Sequence, residues 1–280
     1  MAVHSVRARS DVTAVEDAAI GSRAAEIVPG DLPGGPSTSQ TIMVSSLQQL
    51  LRVVPPTAPT KEYRSAVLDE NVLGKQTVGA REWAFRQLRR FYAFDPQSLL
   101  FRALRDLWTG DEAGQPLLAI VCALARDPVL RASAAAVLTA EPGAVVAPSD
   151  FAVAIEDAFP GAYSESTRRT TAQNVSSSWK QSGHLRAERP TRKIRCRAEC
   201  TPAALAYALL LGDVQGVRGE ALFETLWAKV LDQPKSHLFD LAFGASQRGL
   251  LEFRHAGGVV EVSFRELLRP FDDDGQGHLL

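Results

Sequence analysis

The stretch Ser166–Leu185, STRRTTAQNVSSSWKQSGHL, runs directly into Arg186–Cys200, RAERPTRKIRCRAEC. On a helix advancing 100° per residue, Arg169, Gln173, Ser176 and Lys180 fall on one side with Ser166 beside them. Ala172, Val175 and Trp179 fall on the other. A helix that only filled a core would carry a wider apolar stripe. Ser164 begins this helix and Gly183 is its natural stop, because glycine accepts the left-handed backbone that ends a helix. Beyond it, Ile194 and Cys196 alternate against arginines, predicting two short strands around Glu188 to Thr191. Upstream, Ser149 caps a helix, SDFAVAIEDAF, with Phe151, Ile155 and Phe159 on one face, and Pro160-Gly161 makes a turn. Helix, tight turn, helix and basic hairpin is the order of a winged helix, with Val129–Ala140 supplying its first helix.

The charge of this region decides more than its pattern does. Residues 161–200 hold nine cations, Arg168, Arg169, Lys180, Arg186, Arg189, Arg192, Lys193, Arg195 and Arg197. They are opposed by Glu165, Glu188 and Glu199 alone, an excess of six in a chain whose net charge is -1. Any nucleic-acid face is therefore local, and it is here. Arginine, lysine, glutamine and serine bond phosphates and base edges, so the expected contacts are those nine cations with Gln173 and Ser176. A solvated basic face, or one that docks an acidic protein, satisfies the same composition. Trp179, on the apolar side, reads as core rather than as a stacking platform. A second basic cluster, Arg81, Arg86, Arg89, Arg90, Arg102 and Arg105, either extends the nucleic-acid track or pairs with Glu82, Asp95 and Asp106.

Outward from this centre, the 280 residues predict a mainly α protein with short β-hairpins. Residues 1–58 read as a disordered tail, rich in Ala, Ser, Gly and Pro, although Met43–Val54 has the pattern of a short helix. Residues 59–142 read as an N-terminal helical domain, with Thr77 capping one helix and Asp95-Pro96 opening another. Its last two helices are Pro116–Arg126 and Pro128–Ala140. Residues 143–200 are the winged-helix unit. Residues 201–280 form a C-terminal helical domain with helices over 202–211, 218–231 and 236–248. It closes on a hairpin turning at Gly257-Gly258 and a polar tail, FDDDGQGHLL. Helices followed by a hairpin thus occur twice.

Catalytic patterns are missing from the sequence. The histidines, His4, His184, His237, His255 and His278, stand in no metal-binding spacing, and Cys196 and Cys200 lack the further ligands a zinc site needs. LGKQT (Leu73–Thr77) lacks the glycine spacing of a phosphate loop. FDDDG lacks the distal glutamate of a calcium loop. No nucleophile–base pair stands out, so the expectation is no enzyme, no metal and no cofactor. Three cysteines without a secretory leader point to reduced thiols and a cytoplasmic setting. The longest apolar run, Pro116–Ala125, is half the length of a membrane span.

Leu68–Tyr92, LDENVLGKQTVGAREWAFRQLRRFY, resembles the N-terminal signature of the BrxA proteins of BREX phage-defence systems. That signature is a short helix, an N-x-L-x-K-x-T-like turn and an arginine-rich helix. STRRTTAQNVSSSWKQSGHL and the helices after it are similar to the second half of that family, and the similarity covers about residues 60 to 270. The resemblance implies a small non-catalytic accessory subunit, helical with winged-helix character, that binds double-stranded DNA. It also implies partners in a bacterial complex containing a methyltransferase, an ATPase and a phosphatase-type protein. The matching positions for DNA contact are Lys75, Arg81 and Arg86 upstream, with Arg168, Arg169, Gln173 and Lys180 downstream. The chain departs from the family in its long N-terminal segment and its arginine-dense hairpin. Two other readings fit the residues: a scaffold subunit whose hairpin docks an acidic partner, and a winged-helix transcriptional regulator.

Overall fold

The computed structural model describes residues 23–189 and 192–269. The expectations for residues 1–22, for the hairpin turn at Pro190-Thr191 and for the polar tail from residue 270 lie outside these. Among the described residues the chain is mainly helical with two small antiparallel sheets. The helices are α1 (Val44–Val53), α2 (Thr60–Leu68), α3 (Val78–Tyr92), α4 (Leu99–Trp108), α5 (Gln115–Arg126), α6 (Pro128–Ala132) and α7 (Ala134–Leu138). They continue with α8 (Pro148–Ala158), α9 (Glu165–Gln181), α10 (Pro202–Val214), α11 (Leu226–Val230) and α12 (Lys235–Gln247). The first sheet joins β1 (Val145–Val146), β2 (Leu185–Arg189) and β3 (Arg192–Arg195); the second joins β4 (Glu252–Ala256) and β5 (Val259–Ser263). No helix among the described residues is long and apolar enough to cross a membrane.

One cluster of buried apolar side chains runs from Ile27 to Leu267. α5 lies at its centre: Leu117 through Ala125 are all buried, so the longest apolar run is core. Residues 23–58 correct the expectation of a disordered tail, since Ile27, Ile42, Leu47 and Leu50 are buried in that same cluster. Met43, Val44, Leu51 and Val54 are buried there too, and polar bonds to distant elements add to this apolar contact. Glu26 accepts from Leu99 N, Leu100 N and Ser98 Oγ, so its carboxylate caps α4. Asp127 accepts from Ser37 N as well as from Val129 N and Leu130 N at the start of α6. The Tyr92 hydroxyl donates to the carbonyl of Ile42.

Several helix boundaries differ from the sequence reading. α8 starts at Pro148 after Ala147, so Ser149 lies inside the helix and is not its cap. The third helix of the N-terminal half starts at Leu99 with Ser98 as its cap, not at Asp95-Pro96. Pro128–Ala140 divides at Ser133, whose hydroxyl donates to the Leu130 carbonyl and accepts from Trp179 Nε1. Residues 218–231 become a 3-10 turn, Gly219–Glu224, and the short α11, because Thr225 caps a fresh start.

The first sheet has strand order β1-β3-β2, all antiparallel, with Val145 opposite Ile194 and Leu185 opposite Arg195. Helix, β1, α8, α9, β2 and β3, with β3 in the middle, is the topology of a winged helix. The pair α6 and α7 supplies the first helix. α8 and α9 pack closely on each other, and α9 also packs on β2. The second sheet follows α10, α11 and α12 as a plain hairpin.

Candidate nucleic-acid interface

Both ends of α9 are set by local chemistry. Ser164 Oγ accepts from Thr167 N and caps the first turn. At the other end Gly183 has φ +88°, where a side chain would be strained. Gly183 N bonds to Lys180 O and His184 N to Trp179 O, the paired bonds of a glycine-terminated helix. Ala172, Val175 and Trp179 are fully or almost fully buried, as their spacing predicts.

The opposite edge of α9 exposes Ser166, Arg169, Thr170, Gln173 and Lys180. Arg169 and Gln173 line a shallow cleft with Ser164, Glu165, Ser166 and Thr170 at the helix start. Ser176 is a correction: it is 0% exposed and accepts a hydrogen bond from Lys193 Nζ at 2.8 Å. On the helical wheel it lies only about 20° from Arg169, but on the side that the wing covers. Arg168 is half-buried and forms an ion pair with Glu156 of α8. Glu156 is held below the usual carboxylate range by the Gly161 N–H it accepts and by Arg168.

The wing supplies the remaining charge. Arg186, Arg189, Arg192 and Arg197 are exposed, with Arg192 paired to Glu188 at 2.9 Å. Arg195 is the second correction. It is 2% exposed and points into the protein, donating from Nε to Val137 O at 2.9 Å and to the carbonyls of His184 and Cys196. Its guanidinium also pairs with Asp232, just after α11, at 2.8 Å. Beside it, His184 is fully buried between Ser182 Oγ and the Val230 carbonyl, and burial pushes its pKa down to about 4. Lys193 is half-buried, and burial with the nearby Lys180 charge lowers its pKa to about 8.

Upstream, the basic cluster splits. Arg86, Arg89 and Arg90 are exposed on α3. Arg81 is a correction as a free cation: it donates to the carbonyls of Leu68 and Lys75 and closes the turn between α2 and α3. Lys75 is half-buried in that turn, its N–H bonded to Asn71 Oδ1. Arg105 is buried and caps the end of α1 through the carbonyls of Leu51 and Val54. Arg102 donates to the carbonyls of Pro96 and Arg269.

The sequence reading missed two members of the face. Thr170 is exposed beside Arg169, and Ser177 is half-exposed, accepting from Lys193 Nζ at 3.4 Å. A helical wheel contains both, since each lies within about 100° of Arg169 on the exposed side. Among the described residues no group of three or more His, Cys, Asp or Glu side chains is placed to hold a metal ion. Compared with known proteins, the chain matches no family model and no curated sequence.

Proposed function

We propose that the chain is a non-catalytic DNA-binding protein that grips double-stranded DNA mainly through the phosphate backbone. In this reading it serves as an accessory subunit of a bacterial phage-defence system of the BREX type, beside a methyltransferase and an ATPase. One observation carries the DNA reading. The exposed edge of α9 and the wing behind it present Arg169, Lys180, Arg186, Arg189, Arg192 and Arg197 to solvent on one winged-helix unit. Six exposed cations beside a helix edge of hydroxyls and one glutamine are suited to phosphates more than to base discrimination. The system-level part rests on the resemblance of Leu68–Tyr92 and Ser166–Leu185 to BrxA proteins.

A salt titration against a random-sequence duplex tests the reading. Six phosphate contacts lower log K by roughly 0.9 each per decade of salt, so affinity should fall about a thousandfold between about 50 and 200 mM. Replacing Arg169, Lys180, Arg186 and Arg192 together by alanine should flatten that slope by three to four of those steps while leaving the fold intact. Arg195 is excluded from this set because it is buried and its loss would destabilise the unit. Salt-independent binding, or a quadruple variant that binds as the wild type does, would sink the proposal. Co-purification with partners after nuclease treatment and no retention on DNA would favour a scaffold.

A further inference from the structure

We propose that Lys193 is a positioning residue, a strut that fixes the wing against α9 through Ser176 and Ser177, rather than one more phosphate contact. This rests on the DNA-binding reading of the same face. Lys193 lies on the central strand β3, opposite Val146 of β1 and Ala187 of β2, so it is anchored from both sides. Its Nζ reaches across to α9, 2.8 Å from Ser176 Oγ and 3.4 Å from Ser177 Oγ.

The two serines depart from the habit of their own helix. Thr170, Thr171 and Ser178 each turn the hydroxyl back to the carbonyl four residues earlier. Ser176 and Ser177 instead accept from the lysine, and Ser176 is closed off from water in doing so. A fully buried hydroxyl with no other bond among the described residues is a receiver with one donor. An ammonium bonded to two neutral hydroxyls has its positive charge left uncancelled, where the carboxylate of an ion pair would cancel it, so the strut also adds to the field of the face.

That arrangement makes the grip depend on pH. The charged groups on the packed elements are Glu165, Arg168, Arg169 and Lys180 on α9, Arg186, Glu188 and Arg189 on β2, and Arg192 and Arg195 on β3; β1 has none. Arginine and carboxylate side chains do not titrate between about pH 7 and 9. Lys193, lowered to about 8 by burial and by Lys180, does. Only the protonated form adds its charge to the face while it bonds Ser176 and Ser177, so affinity is full below that value and falls as pH rises through it.

The experiment uses the full chain and a random-sequence duplex, with three readouts: salt slope, pH profile and amide exchange of residues 185–195 without DNA. Ser176→Ala with Ser177→Ala removes no charge and suits a helix. It should lower affinity about tenfold at an unchanged salt slope and speed exchange across the wing. Lys193→Met should give a similar loss and abolish the fall in affinity between about pH 7 and 9. Lys193→Arg should restore binding but leave it flat with pH. A serine double variant with wild-type affinity and wild-type exchange would overturn the strut and return Lys193 to the phosphate contacts. Absent or salt-independent wild-type binding would defeat the DNA reading instead, while faster exchange in the serine variant would still report the strut.

Discussion

Arg195 donates from all three guanidinium nitrogens into the protein, to three carbonyls and to Asp232. The alternation of Ile194 and Cys196 against arginines points this side chain outward, yet Ile194 and Arg195 are adjacent and both buried. At this end of β3 the strand is covered on both faces, so the period of two stops reporting exposure. Charge in a sequence counts cations but does not say which ones water reaches. Arg195→Ala should cost about 3 kcal/mol or more, because it leaves the Asp232 carboxylate without its cation and removes a donor from three carbonyls. Arg192→Ala, at an exposed pair, should change stability by less than about 0.5 kcal/mol. Chemical denaturation of the two variants separates them, and equal midpoints would show Arg195 to be a surface group.

At the scale of the element, α9 was legible at its ends and on its apolar stripe. Ser164 and Gly183 bound it as their chemistry requires, and Trp179 is core. Its back is a different matter. Ser178 Oγ accepts from Ile42 N, Asn174 Nδ2 donates to Ser37 O, and Gln181 Oε1 accepts from Val44 N. These polar residues look like more exposed surface in the sequence, and they are instead the seat of a segment some 137 positions earlier in the chain. Hydrophobic periodicity has no means of seeing a contact made by single side-chain bonds to backbone. Ser178→Ala tests how much one such bond contributes. Alanine gains a few tenths of a kcal/mol in helix propensity, but the buried Ile42 N–H then lacks an acceptor at a cost of about 1 to 3 kcal/mol. The variant should therefore unfold at lower denaturant; a stabilised variant would mean that propensity wins.

For the whole molecule, the two helix-and-hairpin units share an order of elements and differ in surface. On the second, Lys235 is bound by Glu220 and Glu224, and Arg265 by Glu252, so its charges are largely matched. The wing of the first carries Arg186, Arg189 and Arg197 outside any ion pair among the described residues, which concentrates positive charge on that unit in a chain with net charge -1. The mainly α class, the wing and the second hairpin were readable because each is a local pattern. The place of residues 23–58 was not, because their stability comes from partners far along the chain. A chain beginning at residue 59 loses the Glu26 cap on α4, the Ser37–Asp127 bond and the buried Ile42, Leu47 and Leu50. It should lose its cooperative unfolding transition by circular dichroism; an intact transition would show that segment to be dispensable.

The seat behind α9 has one more consequence. The helix proposed to meet DNA is backed by Ser37, Ile42 and Val44, so the amino-terminal segment works as a splint on its far side. A single protease cut just upstream of α1 would leave every arginine of the wing in place. It should still slacken the DNA grip, which makes that segment a place where the protein can be disarmed from behind.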